Sequence, residues 1–217
     1  MNPPYLIPLQ EIRRETVHIN SRFIATLAPA FSTDEARTFI KRIRQEFADA
    51  THNVPAYIIG GGSTLTDYCS DDGEPQGTSG RPALAVLRGS GLGDVAVVIT
   101  RYFGGTLLGT GGLVKAYTEA TQLVVQDVAR AQKKRVHIAM LALPYNLLER
   151  IRLLAAKHHG AILGEDFGAD VTMTLRFTVE DYPHFQSSLR ELSAGTLQAE
   201  IIETTDMLVP APGGTKS

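Results

Sequence analysis

The chain has 217 residues, 43% of them hydrophobic and 20% charged, with 21 Lys and Arg against 23 Asp and Glu for a formal net charge of −2. That length suits one large domain or two small ones, and the apolar content supplies a packed core and excludes global disorder. The slight acidic excess excludes coating of nucleic acid by bulk attraction, the single Cys69 excludes a disulfide framework or a Cys-rich zinc site, and no apolar run approaches the ~20 residues that span a bilayer.

Arg13–Ile19 and Arg22–Leu27 read as two strands joined by a tight turn at Asn20-Ser21. Ser32 and Glu35 form a capping box, and behind it Ala36, Phe39, Ile40, Ile43 and Phe47 make one apolar stripe that belongs to a core. Val54–Ile59 is a strand running into Gly60-Gly61-Gly62. A short helix, Pro82–Arg88, leads to a buried strand, Val95–Thr100. A long helix then runs from about Gly112 to Arg130, with Leu113, Ala116, Tyr117, Ala120 and Val124 facing inward. The order suggests an N-terminal two-layer α/β sandwich over residues 1–135.

The basic run Arg130, Lys133, Lys134, Arg135 fits the last turn of that helix, where cations complement its dipole. It also marks a break in charge. Residues 1–135 carry a net of +2 and residues 136–217 a net of −4.

In the second half, Val136–Leu143 is a strand stopped by Pro144. Leu147, Ile151, Leu154 and Ala155 recur at helical spacing, with Asn146 and Glu149 as a capping pair and Gly160 just past the end. Ala161–Gly164 and Val171–Val179 read as strands with Gly168 between them. Asp181 and Pro183 open a second helix, faced by Phe185, Leu189 and Leu192, and Leu197–Ile202 is the last strand. The order β-α-β-β-α-β is the ferredoxin-like pattern, assigned to residues 136–204. Residues 205–217 read as a disordered tail. The fold class is α+β in two domains.

Two stretches break the core-building pattern. Ser70-Asp71-Asp72-Gly73-Glu74-Pro75-Gln76-Gly77-Thr78-Ser79-Gly80-Arg81-Pro82 sets three carboxylates close together, a pattern open to cation binding, to acid–base work or to Asp side chains that merely hold turns. It lacks the Asp-x-Asp-x-Asp-Gly spacing of a calcium loop. Arg101-Tyr102-Phe103-Gly104-Gly105-Thr106-Leu107-Leu108-Gly109-Thr110-Gly111-Gly112-Leu113-Val114-Lys115 follows a strand and opens a helix. Its glycines let backbone N–H groups approach a ligand, Arg101 and Lys115 could charge-pair one anion, and Tyr102 and Phe103 beside Arg101 suit stacking. It is neither a Walker loop nor a Gly-x-Gly-x-x-Gly turn. Cys69 has no neighbouring cation to activate it, His158-His159 suits a helix C-terminus, and no catalytic set is assembled.

The two stretches resemble the signature of the IMPACT family, and the chain as a whole is similar to its bacterial YigZ-type members over residues 5–203. Ser21-Arg22-Phe23 and His52 match further family positions. Val54 departs from a family cysteine, and Asn20 from a family lysine. The resemblance implies an N-terminal domain like the second domain of a small-subunit ribosomal protein, and a C-terminal one like the last domain of elongation factor G. It implies a role around translation, since eukaryotic relatives regulate translation initiation by competing for a protein partner. The expected function is therefore a cytoplasmic binding protein, without cofactor, that contacts RNA, the ribosome or a translation-associated protein. The contact residues would be Arg22, His52, Asp71, Asp72, Glu74, Thr78, Arg101, Tyr102, Phe103, Gly104, Gly105, Gly109, Gly111, Gly112 and Lys115. The alternative is an enzyme that cradles a phosphorylated small molecule at Gly109–Gly112, with Asp71 or Glu74 holding Mg²⁺ or acting as base.

Overall fold

A computed structural model describes residues 5–61 and 64–211. The chain divides into two compact units, residues 1–132 with 208–217, and residues 133–207.

The first unit is built on a sheet of β2 (Ile12–His18), β3 (Ser21–Pro29), β6 (Val95–Tyr102), β4 (His52–Gly61) and β5 (Thr64–Cys69), in that spatial order and antiparallel throughout. Central β6 is buried from Val95 to Arg101, which requires cover on both faces. On one face Phe23, Ala25, Leu27, Val54, Ala56, Val97 and Ile99 pack beneath α2 (Gly80–Gly89) and α3 (Gly109–Asp127). On the other, Ala28, Tyr57, Ala96 and Val98 pack beneath α1 (Thr33–Glu46). The expected two-layer sandwich thus gains a third layer. The α1 cap forms as its sequence implies, with the Glu35 N–H donating to Ser32 Oγ at 3.1 Å and the Glu35 carboxylate accepting from the Phe31 N–H at 3.0 Å.

Three details differ from the sequence reading. The β2–β3 turn is Ile19-Asn20, because His18 pairs with Ser21 and both turn residues have positive φ, as a two-residue hairpin of this twist requires. Helix α3 starts at Gly109 and stops at Asp127, so the basic run from Arg130 lies in strand β7 (Arg130–Leu143), not in a helix end. Strand β5 has no counterpart in the reading, since its residues Thr-Leu-Thr-Asp-Tyr-Cys show too short an apolar pattern to stand out. Gly62 and Ser63, beside it, lie outside the described residues. Within this unit Ile7–Pro8 (β1) pair with Arg130 and Ala131.

The second unit has the order β10-β7-β9-β8, from β7, α4 (Leu148–Lys157), β8 (Ala161–Phe167), β9 (Val171–Thr178), α5 (Tyr182–Leu192) and β10 (Glu200–Pro210). This is the ferredoxin-like arrangement. Ala139, Leu141, Leu143, Met173, Leu175 and Phe177 pack against Ile151, Ala155, Phe185 and Leu189 of the helices. Asn146 and Glu149 do not cap α4: a 3-10 turn over Tyr145–Leu147 precedes it, and among the described residues no side chain caps its start. Residues 205–210, expected in a disordered tail, continue β10, and the Ala211 N–H reaches the Arg130 carbonyl at 2.8 Å. The rest of that tail, 212–217, lies outside the described residues. Among the described residues no helix is long and apolar enough to cross a membrane.

Gly160 ends α4 with its N–H on the Ala155 carbonyl, and a Cβ there would stand 2.2 Å from Phe177 Cε1. Gly160→Ala is therefore expected to lose about 1–3 kcal/mol by overpacking, read as a lowered midpoint in denaturant unfolding. An unchanged midpoint would refute that packing.

Candidate functional site

Strand periodicity sets the site. Val95, Val97 and Ile99 face α2 and α3, and the period of two carries Arg101 to the same side. Its neighbours across the sheet are Phe23 on β3 and His52 on β4. Arg101 is 5% exposed, where a lone guanidinium would be very costly. Glu74 answers it: Arg101 Nη1 donates to Glu74 Oε1 at 2.6 Å, and the Tyr117 hydroxyl, from α3, donates to the same oxygen at 2.8 Å. Burial, then the Glu74 charge and hydrogen bond, raise the Tyr117 pKa far above its ordinary value, so the phenol stays a donor. His52 Nε2 stands 3.8 Å from Glu74 Oε1, and its Nδ1 lies 2.8 Å from the Asp72 carbonyl oxygen. The guanidinium is flanked by the rings of Phe23 and Phe103, each 5.5 Å away.

The loop that delivers Glu74 is tied from within. Asp71 accepts the N–H groups of Gly77 (2.7 Å), Ser79 (3.2 Å) and Gly80 (2.9 Å) and the Ser79 hydroxyl (2.9 Å). Burial would raise its pKa, but these donors outweigh burial and hold it below the usual carboxylate value. Asp72, at φ 47°, accepts from the Asn53 N–H at 2.7 Å and from Arg44 at 2.5 Å. Thr78 closes a turn on the Pro75 carbonyl. The three acids thus serve three different partners rather than a common ion.

Above the Arg101–Glu74 pair lies a cleft of about 390 Å³. Its floor is His52, Glu74 and Arg101, and its walls are Phe103, Leu107, Leu108 and Leu113, with Gly109 and Thr110 at the start of α3. The floor is charge-compensated and the walls apolar, which suits an apolar side chain or ring carrying one polar group. The rim is open: Phe103 is 45% and Leu107 85% exposed.

The Gly-rich loop divides by role. A Cβ on Gly104 would collide with the Asn20 backbone, so this glycine serves packing. Gly112 sits against Leu108, whereas among the described residues additions at Gly105, Gly109 and Gly111 meet nothing, and no side chain caps α3. Other expected residues fall outside the cleft. Arg22 pairs with Glu15 at 3.1 Å and lies over the Tyr102 ring, whose hydroxyl donates to Asp49 at 2.8 Å. Lys115 points to solvent, 3.8 Å from Glu119. Arg101 and Lys115 therefore do not share an anion: the strand period buries the first, and the helix period turns the second away from the cleft. Cys69 has its pKa raised, chiefly by burial and then by Asp71, which makes it a poor nucleophile.

Tyr117, Leu107 and Leu108 were not among the expected contact residues. Tyr117 carried a legible signal, since a Tyr in an apolar helix stripe needs a partner for its hydroxyl.

The fold defines a two-domain α+β protein with an open, apolar-walled cleft in its first unit. A model of the Impact N-terminal domain matches residues 19–125, and one of a domain of unknown function, DUF1949, matches residues 141–196. The IMPACT family member YigZ of Escherichia coli is 35% identical over 200 residues, 92% of this chain and 98% of that protein. An IMPACT family member of Haemophilus influenzae is 36% identical over 92% of this chain and 97% of its own. The chain belongs to the IMPACT family. The crystal structure of a hypothetical protein, 34% identical, superposes with a TM-score of 0.61 and covers 94% of this chain and 99% of that one.

Two substitutions test this frame. Arg101→Ala strands the Glu74 carboxylate and is expected to cost about 3–5 kcal/mol of stability, read by urea unfolding. Asp71→Ala removes the acceptor of three backbone donors and is expected to cost roughly 1–3 kcal/mol at neutral pH. Because the folded Asp71 pKa is depressed, its charge-linked part of this contribution is complete above the unfolded value of about 4 and vanishes as pH falls through the folded value. The gap between wild type and Asp71→Ala should therefore narrow below about pH 4; a gap constant down to low pH would refute the assignment.

Proposed function

We propose that this protein is a translation-associated regulator that acts by binding, and that the cleft above the Arg101–Glu74 pair receives an apolar side chain of a protein partner. Membership of the IMPACT family supports the translation-associated role. The observation that carries the cleft reading is its composition: Phe103, Leu107, Leu108 and Leu113 around a compensated ion pair. A buried, neutralised Arg101 offers little to a phosphate backbone, so the cleft favours protein over RNA. Exposed leucine and phenylalanine around a cleft form an apolar patch of the kind that marks an interaction site.

The test is co-sedimentation with ribosomes and their associated factors from lysate, comparing wild type with Leu107→Asp. Leu107 is exposed, so the substitution leaves the fold intact. Loss of pelleting in the variant, with weak dependence on salt in the wild type, is the expected result. Equal pelleting of both proteins would refute the cleft as the contact.

A second reading is favoured by one observation, the open space at Gly111. A phosphorylated small molecule could approach the uncapped start of α3 there. Gly111→Ala should raise stability by about 0.5–1 kcal/mol through helix propensity. If a phosphate sits at this helix end, the same change should abolish the thermal shift that a nucleotide produces in wild type, with or without Mg²⁺. No shift in wild type across a nucleotide panel removes this reading.

A further inference from the structure

On the opposite side of the sheet from α2 and α3, a groove of about 490 Å³ runs between α1 and the edge strand β5. Arg37, Lys41 and Arg44 line it from the helix, while Tyr57 and Tyr68 line it from the strands. The cations stand at i, i+4 and i+7, one exposed row about 10 Å long. Like charges at i, i+4 weaken a helix, and little on the protein offsets this row. Among the described residues Arg37 meets only Asp34, at 3.6 Å and largely exposed, a pair of small value. Lys41 has no carboxylate within 4 Å among the described residues, and Arg44 alone has a close partner, Asp72.

The aromatic side of the groove is equally specific. Tyr57 and Tyr68 are paired across β4 and β5 with ring centroids 5.3 Å apart and planes at 24°. Tyr57 is buried, which fixes the inner ring, while Tyr68 remains 46% exposed. Helix α1 packs on β3, β4 and β6 and leaves this part of the sheet face uncovered. A row of cations beside a propped aromatic ring is what a single strand of nucleic acid requires: charge along its backbone and a platform for a base. An acidic peptide would use the cations but not the ring.

We propose that this groove binds a single-stranded segment of nucleic acid, with phosphates along Arg37, Lys41 and Arg44 and a base stacked on Tyr68. The overall charge of −2 does not oppose this, because the attraction is local and the N-terminal 135 residues carry a net of +2. The groove shares no lining residue with the cleft, so the proposal stands or falls separately from the partner-binding reading.

The experiment is fluorescence anisotropy of the full chain with labelled oligouridylate and oligothymidylate, which separates RNA from DNA as the strand. Binding should weaken with salt, with a log–log slope of about −2 for three phosphate contacts. Tyr68→Ala should weaken it roughly tenfold, and Arg37→Glu with Lys41→Glu should abolish it. Arg150→Glu with Lys157→Glu, which changes net charge equally in the second unit, should leave it within about twofold if the contact is local. Circular dichroism of each variant controls for folding. Absence of saturable binding at low salt overturns the proposal. So does binding that survives the groove variants, or competition by polyglutamate as strong as by oligouridylate with Tyr68→Ala unaffected, which would assign the groove to an acidic polypeptide.

Discussion

One carboxylate oxygen, Glu74 Oε1, holds together three segments that are far apart in sequence. The loop supplies the acid, β6 supplies Arg101 and α3 supplies Tyr117, with His52 of β4 just beyond hydrogen-bond reach. Removing two ions from water costs several kcal/mol per ion, and their attraction repays it only with good geometry and further hydrogen bonds. Here the geometry is set by contacts other than the pair itself. Arg101 is fixed by β-sheet register between Phe23 and His52, Tyr117 by the packing of α3, and Glu74 by the Asp71 turn network. The cleft follows as a consequence: its floor is rigid and electrically balanced, so what it can select is shape and apolar surface.

The same economy explains the acidic loop. Three carboxylates within four residues would repel one another on a flexible segment, yet each is committed elsewhere. Asp71 turns inward to the loop backbone, Asp72 outward to Arg44 and Asn53, and Glu74 down to Arg101 and Tyr117. Positive φ at Asp72 and Gly73 produces the reversal that separates their directions.

Much of the fold was written in periodicities that survive without tertiary information. The α1 stripe, the strands around Val54 and Val95 and the whole β-α-β-β-α-β order of the second unit are legible because each element buries one face with its own repeat. The site was legible in position but not in orientation. Tyr102 and Phe103 suggested that Arg101 was a surface residue, whereas continuing the alternation of Val95, Val97 and Ile99 by one step places it inside. Charge type won over phase in that reading, and phase wins in the structure because Glu74, 27 residues earlier, neutralises the charge. No local pattern encodes that partnership. The basic run from Arg130 misled for a related reason: four cations look like a helix end, but they stand in the extended strand β7, which pairs with Ile7 and Pro8 at Ala131 and Arg130.

The β4 strand shows how one element serves both proposed surfaces. His52, Val54 and Ala56 point towards the side of α2 and α3, and Tyr57 to the side of α1. Between the two surfaces stands Asp72, which accepts from Arg44 of the groove while its own carbonyl meets His52 at the cleft floor. An anion that draws Arg44 away leaves the Asp72 carboxylate with the Asn53 N–H as its remaining strong donor. The loop carrying Glu74 is then held by one fewer charged contact, three residues from the acid that balances Arg101. Among the described residues Asp72 is the one acid that touches both a cation of the groove and a residue of the cleft.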